Sequence, residues 1–321
     1  MGKIIIVTGP TAVGKTALVE ELAKHIPITI INADMGQLYT KLSIGTAKPD
    51  WRNSFIPHYL FDIIDEPCHY TAATYRQDCT QSILDAWRDN RLPIIVGGSL
   101  FYIQGLLWSF SRASQTVSAA IDRSTYSWEL LASIDPARAR ALHPHDTYRI
   151  HRALDIWFST GTLPSHCLPV YDPLCSEFGI VYLTRTREQL YRRINERAQE
   201  MVKAGLLKEV ASLMGTEWES FIGKKGIIGY RALFEYCKGP LGKDSLVHAL
   251  DRMSQETRHY AKRQISFWRM LQQKLKNNGY FSDSFEAGSA SVIEEIDLTF
   301  ADHDLYLKQL AGRVQQWLGC S

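Results

Sequence analysis

The stretch Gly9-Pro10-Thr11-Ala12-Val13-Gly14-Lys15-Thr16 decides how this chain folds. It follows the apolar run Lys3-Ile4-Ile5-Ile6-Val7-Thr8 and opens the helical pattern Ala17-Leu18-Val19-Glu20-Glu21-Leu22-Ala23. Strand, glycine-bounded loop and helix in that order are the context of a phosphate-binding P-loop. Two glycines let the backbone curl so that N–H groups point inward, and the helix N-terminus adds partial positive charge. Lys15 supplies a mobile full charge for the outermost phosphate, and the Thr16 hydroxyl is placed to ligate Mg²⁺. A polyphosphate binds such a loop; whether it is ATP the loop alone does not say.

Working outward, Ile28-Thr29-Ile30-Ile31-Asn32-Ala33 reads as a second strand ending on Asp34. A carboxylate at the C-terminal end of a strand beside the P-loop strand lies where open α/β sheets place their chemistry. Asp34 suits a general base or a water-mediated Mg²⁺ partner, and equally suits an N-cap for Met35-Gly36-Gln37-Leu38-Tyr39. Pro57 to Asp65 reads as a short strand, and Tyr75 to Asp89 as a helix with Ile83, Leu84 and Trp87 on one face. Leu92-Pro93-Ile94-Ile95-Val96 is a further buried strand. It runs into Gly97-Gly98-Ser99, a glycine turn able to bring backbone and the Ser99 hydroxyl to the same ligand.

The chain has 321 residues, 45% hydrophobic and 22% charged, with a formal net charge of only +2. Such a composition is that of a globular chain of one large or two modest domains. Any nucleic-acid binding must come from a local basic patch. The six cysteines show no C-x-x-C pairing, and no zinc spacing accompanies the ten histidines. They read as reduced thiols in a cytoplasmic protein. The first apolar run is too short for a signal peptide or membrane span.

From about Ser111 the pattern changes to small polar residues and then helical periods, including a helix from Asp146 to Phe158. Phe178-Gly179-Ile180-Val181-Tyr182-Leu183 resumes the buried-strand pattern. The expectation is therefore an α/β, P-loop NTPase-like fold: a mainly parallel sheet with helices on both faces. Residues 1–110 and 178–321 form its core, and 111–177 form a smaller helical insertion. Arg149 and Arg152, three apart, share a helix face. They meet either nucleic acid or solvent, the second with Arg152 paired to Asp155. Glu188 to Gly205 is a long helix with Arg192, Arg193 and Arg197. Arg252 to Lys276 holds seven basic residues against one acidic, with Tyr260, Phe267 and Trp268 interleaved. That local excess is the best sign of a nucleic-acid footprint. The final stretch offers a strand, Ile293 to Leu298, and a helix, Leu305 to Leu318, with a loose loop at Phe285 to Ser291.

The P-loop, Asn32-Ala33-Asp34 with Gln37 and Tyr39, Gly45-Thr46-Ala47-Lys48-Pro49, His58-Tyr59-Leu60-Phe61-Asp62, and Val96-Gly97-Gly98-Ser99 with Tyr102 together resemble tRNA dimethylallyltransferases. The resemblance continues through His143-Pro144, Asp146, Arg149, Arg152-Ala153-Leu154, Arg193, Arg197, Met201, Gly205-Leu206 and Gly229-Tyr230-Arg231. It ends in Thr257-Arg258 and Tyr260-Ala261-Lys262-Arg263-Gln264. It implies transfer of a dimethylallyl group from dimethylallyl diphosphate to N6 of the adenosine 3′ of the anticodon, position 37. It also implies Mg²⁺ and the anticodon stem-loop of tRNA as partners of a monomer, without ATP hydrolysis. In that reading Asp34 is the base, and Gly9 to Thr16, with Lys15, Thr11, Ser99 and Arg197, bind the diphosphate. Asp34, Met35, Gly36, Gln37, Ser99, Arg149, Arg152, Gly229, Tyr230, Arg231, Arg258, Lys262 and Arg263 meet the tRNA. Met35 stands where the family has Ser, Ser99 where it has Thr, and 109–135 is shorter than its counterpart. A small-molecule kinase, a P-loop module without chemistry and a prenyltransferase of free adenine nucleotides are the rival readings.

Overall fold

The computed structural model describes residues 2–109, 123–240, 242–279, 281–299 and 303–319. Its strands are β1 (Ile4–Thr8), β2 (Ile28–Asn32), β3 (His58–Tyr59), β4 (Leu92–Val96), β5 (Trp108–Ser109), β6 (Val170–Tyr171), β7 (Phe178–Thr184) and β8 (Ser291–Asp297). Six of them form one sheet in the order β3-β2-β4-β1-β7-β8, each neighbour parallel. The helices are α1 (Lys15–Ala23), α2 (Ala72–Arg88), α3 (Leu100–Leu107), α4 (Trp128–Ile134), α5 (Pro136–Arg140), α6 (Thr147–Thr160) and α7 (Arg187–Lys203). They continue as α8 (Leu206–Leu213), α9 (Glu217–Lys225), α10 (Tyr230–Lys238), α11 (Lys243–Asn278) and α12 (His303–Leu318).

The chain divides into two compact units. One comprises Met1–Ile103 and Cys175–Ser321, the other Gln104–Leu174. In the larger unit β1 is buried at every residue, as a central parallel strand covered on both faces must be. Each fully buried Ile or Val there contributes up to about 1.5–3 kcal/mol relative to exposure. Val181 and Leu183 of β7 join Leu18, Val19 and Leu22 of α1 and Leu310, Val314 and Trp317 of α12 in one core. Tyr182, between them and so directed to the other face, stacks on Trp268 of α11 at 4.4 Å.

Three local expectations change. Only His58–Tyr59 of the Pro57–Asp65 run is strand, because Leu60 and Asp62 take left-handed backbone (φ 62 and 52). Leu84 is exposed, and α2 buries Tyr75, Cys79, Ile83 and Ala86 instead. Phe285, placed in a loose loop by its neighbours, is fully buried and packs edge-on against Trp317.

In the smaller unit, Leu131, Ala139, Leu142, Ile150, Ala153 and Leu154 form the core of α4, α5 and α6. Buried Asp135 caps α5 and also accepts from the Ser165 N–H at 2.7 Å. Asp146 caps α6, and Gly161 ends it in left-handed backbone. Arg123 forks onto Asp155 at 3.0 and 2.9 Å. The polar segment 111–122 lies outside the described residues.

Candidate functional site

Three loops leave the C-terminal ends of β1, β2 and β4 side by side, where open parallel sheets place their chemistry. They are the P-loop, the turn at Asp34 and the glycine turn at Gly97. The last two are in contact along their backbones: a Cβ on Gly97 would overlap the Ala33 carbonyl. Only glycine permits that approach.

The P-loop carries left-handed backbone at Ala12 (φ 63) and positive φ at both bounding glycines. Its lysine is folded into it, Lys15 donating to the Gly9 and Pro10 carbonyls at 3.1 and 3.0 Å. Burial pushes the Lys15 ammonium down to about 8; Asp34 opposes this and Arg197 adds to it. Three arginines of the segment after β7 close the loop from outside. Arg185 donates to the Val13 carbonyl at 2.9 Å, Arg193 to that of Ala12 at 2.8 Å, and Arg197 to the Thr11 hydroxyl at 3.4 Å. Arg193 and Arg197 lie one turn apart on α7, so both reach the same loop.

Asp34 is both a cap and a pocket residue. Its carboxylate accepts from the Gly36 N–H at 3.0 Å and so caps the 3₁₀ turn Met35–Leu38. The same carboxylate lines two pockets. One holds Thr11, Ser99, Arg197 and Tyr260, with an apolar wall including Ile194, Met201, Ile227 and Met253. The other holds Lys15, Thr16, Gln37, His58 and Phe61. Burial raises Asp34 above the ordinary carboxylate range, while Lys15, the Gly36 N–H and Arg197 hold it back. Buried Asn32 fixes the turn: its amide donates to the carbonyls of Asp34 and Leu60, and its oxygen accepts from the Asp34 N–H at 2.8 Å. The Ser99 hydroxyl accepts from the Met35 N–H at 2.9 Å, so it ties the glycine turn to the Asp34 turn.

Buried Gln264 on α11 clasps both glycine loops. Its oxygen accepts from the Thr11 N–H at 2.9 Å, and its nitrogen donates to the Gly98 carbonyl at 2.8 Å. The tyrosine one turn before it, Tyr260, lines the Asp34 pocket. Burial, then the nearby Asp34 charge, raises its phenol. Arg185 and the positioning roles of Gln264 and Asn32, both quoted in the resemblance without a role, are what motif reading misses. Their signal is weak: Gln264 follows a basic pair, but its position four after Tyr260 places both on one helix face.

The remaining expected residues are spread more widely. Gln37 donates to the carbonyls of Thr46 and Ala47. Thr16 is exposed at the edge of the second pocket. Lys262 and Arg263 are exposed on α11, with Arg263 over the Tyr260 ring. Arg258 donates to Asn195 at 2.8 Å. Gly229 holds positive φ before α10, and Arg231 is exposed and pairs with Glu235. Tyr230 faces the interior instead of a surface: its ring is buried and its hydroxyl donates to Glu209 at 2.7 Å. In the smaller unit Arg149 pairs with Asp146 at 2.6 Å, and Asp155 is held by Arg123. Among the described residues no group of three His, Cys, Asp or Glu could hold a metal ion, and no helix is long and apolar enough to cross a membrane.

A family model described as IPP transferase matches residues 37–271. This chain belongs to the IPP transferase family. It is 35% identical over 291 residues to the tRNA dimethylallyltransferase of Thermotoga petrophila, covering 88% of this chain and 94% of that one. It is 38% identical over 283 residues to that of Geobacter metallireducens, covering 83% and 89%. The tRNA isopentenylpyrophosphate transferase of Bacillus halodurans superposes with a TM-score of 0.65 at 27% identity, over 99% of this chain and 97% of that one. A eukaryotic dimethylallyltransferase acting on tRNA shares the fold, with a TM-score of 0.75 at 24% identity over 98% and 78%. The family match begins at Gln37, so the P-loop and Asp34 of this IPP transferase rest on their own geometry and on the Bacillus halodurans structure, whose match covers 99% of this chain.

Proposed function

We propose that this IPP transferase moves a dimethylallyl group from dimethylallyl diphosphate to N6 of adenosine 37, 3′ of the anticodon in tRNA. The observation that carries the reading is one carboxylate, Asp34, lining both pockets between the P-loop lysine and Arg197. An aromatic amine is a poor nucleophile. A base at its N–H and strong stabilisation of the leaving group are what such a transfer needs. The N6 lone pair attacks the allylic carbon, the carbon–oxygen bond breaks towards diphosphate, and the N6 proton passes to Asp34. Lys15, Arg197 and the first-turn amides of α1 face the negative charge that grows on the departing diphosphate. The apolar wall of Ile194, Met201, Ile227 and Met253 suits a hydrocarbon.

The donor set fits Mg²⁺ in one way. Thr16 and Asp34 line the same pocket without further carboxylates, so the ion would be held by the Thr16 hydroxyl, phosphate oxygens and water, with Asp34 beyond the water. When bound, it would neutralise diphosphate charge. The base must leave its stack to reach Asp34, so it is flipped from the anticodon loop. Exposed Lys262 and Arg263 on α11, with Arg149, Arg152 and Arg258, are the phosphate-contacting candidates.

The test is incubation of the protein with unmodified tRNA, Mg²⁺ and dimethylallyl diphosphate, followed by nucleoside analysis, with AMP as a parallel acceptor. N6-isopentenyladenosine in tRNA and negligible product from AMP are expected. Efficient prenylation of AMP, or consumption of added ATP, overturns the reading.

A further inference from the structure

Glu209 of α8 lines neither pocket, yet its carboxylate gathers four donors from two distant places in the chain. Oε2 accepts from the N–H groups of Ser43 and Ile44 at 3.0 and 2.7 Å. Oε1 accepts from the Gly45 N–H at 3.0 Å and from the Tyr230 hydroxyl at 2.7 Å. Gly45 lies so close to Tyr230 that a Cβ there would stand 2.5 Å from its ring and hydroxyl. The loop 43–47 is thus held between a charge and a buried ring.

That loop in turn holds the acceptor side of the site. The carbonyls of Thr46 and Ala47 take both bonds from the Gln37 amide, at 3.1 and 3.3 Å. The Thr46 methyl lies 2.7 Å from where a Gly36 Cβ would be, and the Gly36 N–H is the donor to the Asp34 carboxylate. We propose that Glu209 is a positioning residue for the acceptor. It sets the loop 43–47, and through Gln37 and Gly36 the loop sets Asp34. The inference rests on the proposed transfer to an adenine N6.

Only a carboxylate satisfies these four donors. In Glu209→Gln one oxygen becomes an NH₂ donor facing two other donors. Displacements of about 1 Å at a reacting group cost about 10²-fold in rate, and partial adjustment of the loop reduces this to about tenfold. Steady-state kinetics with tRNA and dimethylallyl diphosphate, together with binding of inorganic diphosphate and a thermal melt, test it. Glu209→Gln is expected to lose about tenfold in kcat/KM for the acceptor while inorganic diphosphate binds within about twofold of wild type. Glu209→Asp, which keeps the charge, recovers part of the loss. Tyr230→Phe, which removes one donor of four, loses less than Glu209→Gln and in the same parameter. Wild-type acceptor kinetics in Glu209→Gln, or an equal loss in diphosphate binding, overturns the inference. If Glu209→Gln melts early, Tyr230→Phe decides: an acceptor-specific loss supports the assignment, and wild-type kinetics overturns it. A wild-type chain that modifies no tRNA takes down the proposed function, and this inference with it.

Discussion

The phosphate side and the acceptor side of the pocket are built in opposite ways. Eight contiguous residues, Gly9 to Thr16, make most of the first; from the segment after β7, Arg185 and Arg193 brace the loop from outside and Arg197 reaches the pocket itself. The second is assembled from Asn32, Asp34, Ser99, loop 43–47, Glu209 and Tyr230, residues far apart in the chain. A contiguous loop supplies charge and amide direction, which depend little on the rest of the fold. A carboxylate aimed at one N–H needs its neighbours to hold an angle. Substitutions on the phosphate side should act through charge, and those on the acceptor side through geometry.

The largest effect tests the acceptor side directly. Asp34→Ala is expected to lower turnover by about 10²–10⁴ while diphosphate affinity changes little, as single-turnover kinetics and calorimetry would show. Turnover near wild type would reduce Asp34 to the cap of its 3₁₀ turn and remove half of the contrast. Next come Lys15→Met and Arg197→Ala, each expected to cost about 10²–10³ in rate, because the charge they face grows in the transition state. A loss in Arg197→Ala confined to tRNA binding would move that arginine to the other side of the comparison.

Lys15 also separates the two sides by pH. Its folded value lies below the 10.5 of an ordinary lysine, at about 8. The folded chain therefore binds fewer protons than the unfolded chain between those values, and stability rises with pH through that window. Lys15→Met should melt higher than wild type at pH 7, and the gap should close as pH approaches 10.5. In activity the sign is opposite. The alkaline limb of kcat/KM should fall near pH 8 as the free enzyme loses the ammonium, and Lys15→Met should abolish that limb. The acid limb, from Asp34, should lie above the ordinary carboxylate range. The smallest effect belongs to the exposed surface of α11. Lys262→Ala is expected to flatten the log–log salt dependence of tRNA affinity by roughly one unit. An unchanged slope would place Lys262 away from phosphate.

The same contrast explains what was legible before the fold was known. The P-loop, the β1, β2, β4 and β7 strands and α7 follow from local pattern, because a buried strand or an amphipathic helix writes its environment into successive residues. Asp34 was legible only as an alternative between base and cap, and the structure makes it a cap that also faces the pockets. Glu209 carries no local mark, and Gln264 only its place at the end of the run Tyr260 to Gln264. Each acts on backbone groups more than a hundred residues away, at Ser43 to Gly45 and at Thr11 and Gly98. Phe285 misleads for the same reason: the small residues that follow it read as loop, and a distant partner, Trp317, helps bury its ring.

Gln264 has a chemical consequence for the ageing of the protein. Its side chain accepts from one glycine loop and donates to the other, and a primary amide is what offers both functions at one tip. Hydrolysis of that amide changes one nitrogen to oxygen and leaves every other atom in place. The product is a glutamate that cannot donate to the Gly98 carbonyl and that sets a negative charge beside the anion loop. A stored preparation in which this has happened should lose phosphate affinity and melt earlier at an almost unaltered mass, because the new buried carboxylate faces the Gly98 carbonyl with no proton to donate. Charge-based separation would show the damage as an added acidic species.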